Sequence, residues 1–132
     1  MPDLCTYDYA VVRVVPHVER GEFVNAGVIV SCTSRGFLKA RFELDEGRLL
    51  ALDPALDVGP IRASLAAIEA MCVGGEAAGA IGRLSARERF DWLVAPRSTS
   101  IQTSVVHAGR GSDLDAVLEH LVKKLVRPPG AP

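Results

Sequence analysis

The sequence predicts an α+β fold: an antiparallel three- to four-stranded sheet, in the order β-β-β-α-α-β-α, with the helices packed on one face. Three observations predict it. The first third of the 132-residue chain alternates apolar and polar residues with period two. Most of the remainder repeats apolar residues at helical spacing between capping and breaking signals. The balance of 48% hydrophobic and 23% charged residues belongs to a globular chain that can bury one core.

In the stretch from Tyr7 to Val15, Ala10, Val12 and Val14 form an apolar face opposite Tyr7, Tyr9 and Arg13. Pro16 has no N–H to give a ladder and ends this strand. From Phe23 to Cys32, Val24, Ala26, Val28, Val30 and Cys32 share one face, and Asn25, Gly27, Ile29 and Ser31 the other. This segment is too apolar for an edge and is expected in the centre. A hairpin turn at Thr33–Gly36 leads into Phe37–Leu44, where Leu38, Ala40, Phe42 and Leu44 alternate with Lys39, Arg41 and Glu43. Those charges are what a guarded edge strand carries. Helices follow. Ile61, Leu65, Ile68 and Cys72 recur at helical spacing after Pro60 and stop at Gly74-Gly75. Ser85 and Glu88 form a capping box for a helix reaching about Val94. Ile101–His107 is β-branched and reads as a fourth strand. The last helix starts at Ser112-Asp113 and carries the stripe Leu114, Val117, Leu118, Leu121, Val122 and Leu125 before Pro128-Pro129 stops it. One domain over 1–132 is expected, with its core at about 7–126 and a flexible tail at 127–132.

Function is less legible. A net charge of −1 and a pI near 6.3 argue against nucleic acid as a partner. No apolar run reaches the length of a membrane span. Cys5, Cys32 and Cys72 show neither zinc spacing nor a C-x-x-C pair, so buried, inert thiols in a reducing cytoplasm are expected. The glycine-rich stretch Gly74–Gly82 lacks the Lys-Ser/Thr pair of a phosphate loop and follows a helix, so it reads as a connection. No catalytic residue, metal ligand or cofactor motif is identified. The polar residues that stand out are Tyr9, Arg13, Asn25 and Arg41 on the meander. To these the segment before the last helix adds Arg97, Ser98, Gln102 and His107. They are candidates for ligand binding or protein interaction.

Three blocks carry a resemblance: Y-D-Y-A-V-V-R-V-V-P, R-G-E-F-V-N-A-G-V-I-V and A-P-R-S-T-S-I-Q-T-S-V-V-H-A-G. Together they resemble a bacterial domain-of-unknown-function family, catalogued under the number thirty thirty-seven, over about Tyr7 to Val126. Members are often encoded beside a HipA-like kinase, which implies a partnership with such a kinase. The resemblance implies no chemistry. The reading is therefore a non-catalytic binding or regulatory partner, monomeric or weakly dimeric. The alternative is a small enzyme or ligand sensor with an arginine-lined pocket for phosphate or carboxylate.

Overall fold

The computed structural model describes residues 3–97 and 99–130. Its elements in order are β1 (Cys5–Val14), β2 (Val24–Cys32), β3 (Phe37–Phe42), α1 (Glu46–Leu52), α2 (Val58–Val73), a 3-10 segment (Glu76–Arg83), α3 (Ala86–Leu93), β4 (Ile101–Thr103), β5 (His107–Gly111) and α4 (Leu114–Leu125). The α+β class and the antiparallel sheet stand as expected. The order across the sheet is β3-β2-β1, with β4 and β5 both pairing with the other edge of β1. β2 is central and β3 an edge, as their compositions required.

Helices cover both faces of the sheet, whereas alternation along the chain had suggested one. On one face Val12, Val14, Val24, Ala26 and Ile29 pack against Leu49 of α1, Ile61, Leu65 and Cys72 of α2, and Phe90 and Leu93 of α3. On the other, Val28 and Val30 pack against Leu118, Leu121 and Val122 of α4. The physical reason is β2 itself, whose apolar residues fall on both faces of the sheet, so that the strand has to be buried on both sides.

A β-bulge redistributes those residues. Val12 pairs with Gly27 and Arg13 with Asn25, leaving Ala26 as the extra residue. Val24 and Ala26 therefore join Ile29 on the α2/α3 face, and Val28, Val30 and Cys32 lie on the α4 face. The single face expected for Val24 through Cys32 is thus split in two. Gly27 also permits a close approach, because a Cβ there would lie 2.2 Å from the Phe42 ring and 2.6 Å from the Arg41 carbonyl oxygen.

The expected fourth strand is two strands. β4 ends at Thr103, and Ser104 keeps the ladder with β1 by two hydrogen bonds: its N–H donates to the Val11 carbonyl at 2.8 Å and its hydroxyl accepts from the Val11 N–H at 2.9 Å. Val105 and Val106 then bow out to solvent before β5 resumes pairing. Gly109 belongs in that strand because the Tyr7 ring lies where its Cβ would be, 2.4 Å from the Tyr7 hydroxyl oxygen.

The helices end where their caps dictate. Ser85 and Glu88 make the reciprocal capping box, and the Asp113 carboxylate accepts from the Ala116 N–H. The glycine-rich stretch is the connection between α2 and α3. α1 was not anticipated. It is capped by Asp45 and buries only Leu49. All three cysteines are buried and unpaired, and burial pushes the Cys72 thiol up to about 12. No single helix among the described residues is long and apolar enough to cross a membrane.

Arg127, placed by sequence in the tail, is held. Its Nε and Nη2 donate to the two carboxylate oxygens of Glu43, each at 2.8 Å, and Nη2 also reaches Glu119 at 3.0 Å. These bonds hold the Glu43 carboxyl below its ordinary value of 4.5. A carboxyl whose pKa falls on folding contributes stability that is complete above its unfolded value and is lost as pH falls through the lower folded one. Stability is thus expected to decline on acidification below about pH 4.5, and Arg127→Ala is expected to flatten that decline. Urea midpoints of both proteins across the acid range check it; equal acid slopes would show that the pair contributes nothing.

Candidate functional site

The bulge brings three of the singled-out residues into one row. Gln102 on β4, Arg13 on β1 and Asn25 on β2 are consecutive cross-strand partners. All three lie on the α4 face, at the end of the sheet nearest the C-terminus of α4. Each stands out in the sequence by its polarity, and the strand register explains their company.

The row is only partly satisfied. Asn25 Nδ2 donates to the carbonyl of Leu125, in the last turn of α4, at 3.0 Å. Gln102 Nε2 donates to the Thr99 carbonyl at 3.0 Å. The Arg13 guanidinium stacks on the Phe23 ring, 4.2 Å from its centroid, and Phe23 remains 43% exposed. Arg13 Nε and Asn25 Oδ1 are shut off from solvent and meet no hydrogen-bond partner among the described residues. An N–H and a carbonyl oxygen left so carry a desolvation cost that no hydrogen bond among the described residues offsets.

Farther along the same face, Tyr9 and His107 are partners between β1 and β5, and their rings lie 5.3 Å apart. Tyr9 is half-buried against α4's cluster and His107 is exposed. α4 packs mainly on β2 and β3, so the strip along β1, β4 and β5 is the less covered half of this face. Tyr9, Arg13, Gln102 and His107 share that strip, and Asn25 on β2 borders it beneath the end of α4.

Two of the sequence candidates lie elsewhere. Arg41 shares the face but sits on β3 beside α4, where it is ion-paired with Glu119 and, at 3.2 Å, with Glu43. Arg97 is on the α2/α3 side. Its Nη1 and Nη2 donate to the carbonyls of Leu93 and Trp92 at 3.0 and 2.7 Å, closing the C-terminus of α3, and its guanidinium stacks 4.3 Å from the Trp92 ring centroid. Ser98 lies outside the described residues.

Phe23 is the residue that sequence reading missed. By sequence it is the first residue of a strand, yet an aromatic ring two positions before Asn25 is placed to cover an arginine on the neighbouring strand. On the opposite side of the sheet a groove of about 420 Å³ runs between α2 and the end of α3, lined by Ile68, Met71, Trp92, Arg97 and Ile101. Ser64, Thr99 and Ser100 add hydroxyls to its lining, and no histidine, cysteine or carboxylate stands beside them among the described lining residues.

A family model described as "Protein of unknown function (DUF3037)" matches residues 9–126. No curated protein and no solved structure matches the chain.

Proposed function

We propose, for a chain that belongs to the DUF3037 family, that it is a non-catalytic binding module whose protein partner docks on the strip of sheet along β1, β4 and β5. One observation carries the reading: a guanidinium stacked on a half-exposed phenylalanine, flanked by the unpartnered Arg13 Nε and Asn25 Oδ1. Arginine and aromatic side chains are enriched among the residues that carry binding energy where protein surfaces meet, and the exposed side of the Phe23 ring, backed by the Arg13 guanidinium, is the part a partner can reach. The partner proposed from the family resemblance is a HipA-like kinase.

The alternative, an arginine-lined pocket for phosphate or carboxylate, needs Arg13 and Arg97 in one concavity. Arg13 faces α4's side of the sheet and Arg97 is bonded to the end of α3 on the other. That separation favours the docking surface.

Co-expression with a HipA-like kinase of the same genome, followed by size-exclusion chromatography, is expected to yield one co-eluting complex. Phe23→Ala is expected to weaken it by about tenfold, the effect of removing one aromatic anchor, while leaving the thermal midpoint nearly unchanged because the ring is half exposed. Separate elution of the two proteins would overturn the kinase as partner. Tight binding that ignores both Phe23→Ala and Arg13→Ala would overturn the surface.

A further inference from the structure

The two outer edges of the sheet are protected unequally. β3 displays the exposed charges Lys39 and Arg41. β5 offers His107-Ala108-Gly109-Arg110-Gly111, pairs only with β1 among the described residues, and so leaves its outward N–H and C=O groups without a strand there. Immediately before it, Val105 and Val106 are 75% and 42% exposed. A short edge whose one permanent charge is Arg110, preceded by exposed valines, is the kind that recruits another strand.

We propose that the occupant is β5 of a second copy of this chain, paired antiparallel about a two-fold axis through Gly109 to form a weak homodimer with one continuous sheet. This goes beyond the partner-docking surface, which centres on Arg13 and Phe23.

Self-complementarity carries the choice of occupant. With the axis at Gly109, His107 faces Gly111 of the second copy and Ala108 faces its Arg110. Each bulky side chain meets a small one and no like charges oppose, and the two-fold makes each contact twice. With the axis moved to Arg110, the two guanidinium groups would face each other. His107 of the second copy, opposite Gly111 and on the α4 face, also has a place to go. A groove of about 410 Å³ lies beside Gly111, lined by Tyr7, Arg110, Ser112, Asp113, Val117 and His120 among others, with room for the ring.

Sedimentation velocity from micromolar to millimolar concentration tests the proposal. The wild-type chain is expected to dimerise reversibly. Ala108→Arg sets arginine against arginine twice per dimer and is expected to weaken it by about tenfold. Ala108 is exposed and pairs across β1 with Asp8, so the folded monomer accommodates the new cation. Adding Arg110→Glu to Ala108→Arg restores opposite charges across the axis and is expected to recover the dimer, whereas Phe23→Ala leaves it unchanged. A wild-type chain that stays monomeric at millimolar concentration would overturn the proposal. So would a dimer indifferent to Ala108→Arg, or one that the double variant fails to recover.

Discussion

Leu118→Asp is expected to abolish the native state. Leu118 is 3% exposed and reaches from α4 onto Val28 and Val30, with Leu121 and Val122 beside it. Truncating a buried leucine costs about 3–5 kcal/mol through lost contacts and the cavity left behind. An unpaired carboxylate in the same place adds several kcal/mol more, against a total domain stability of about 5–15 kcal/mol. Among the described residues α4 is also the one helix on its face of the sheet, so no neighbouring helix there closes over Val28 and Val30 if it lifts. The expected result is loss of near-ultraviolet circular dichroism and of a cooperative urea transition. A folded variant with a midpoint near that of the wild type would mean that α4 is a detachable interaction helix.

Gly27→Ala is expected to be the most damaging single-methyl addition in the sheet. The new Cβ would overlap the Phe42 ring and the Arg41 carbonyl. The ring can rotate away at modest cost. The carbonyl cannot move without disturbing the pairing of Gly27 with Phe42 that joins β2 to β3. Overpacking of this kind costs about 1–3 kcal/mol and sometimes more, and the backbone clash places Gly27→Ala at the upper end. The double variant Gly27→Ala/Phe42→Ala separates the two contributions. Relative to Phe42→Ala alone, the added methyl should cost less than it does in the wild type, yet still cost something. If Gly27→Ala leaves the urea midpoint unmoved, β2 has slack that these contacts deny.

What could be read from the residues, and what could not, divides along a physical line. Signals confined to a few neighbours were legible. Examples are the Ser85–Glu88 capping box, the Asp113 cap, the alternation of Leu38, Ala40 and Phe42 with Lys39 and Arg41, and the break at Pro16. Features set by a partner strand were not. The bulge at Ala26 arises only when β1 and β2 are laid side by side, and one extra residue there reverses the phase of everything before it. The split between β4 and β5 depends on a serine hydroxyl meeting a β1 amide distant in sequence. α1 escaped because a seven-residue helix with one buried leucine has no periodicity to detect, although Asp45 is a fair N-cap signal. The site followed the same rule. Arg13, Asn25 and Gln102 stood out as individuals, while their alignment awaited the register. Arg97 looked equally promising and proved to be a helix cap, a role hinted at only by its position just past the end of α3.

The pairing of β1 on both sides also has a temporal consequence. One side finds β2 after a short loop, but the other waits for Ser104 and Gly111, partners 93 and 106 residues away. Ribosomes add about 5–20 residues per second, so a nascent chain holds that edge of β1 open for roughly 5–20 s before its partners exist. During that interval Val11 and Val12 stand at the rim of an unfinished sheet. Such remote closure slows folding and lengthens exposure to mispairing. The order in which the strands emerge thus makes the last third of the chain the step that commits the whole domain.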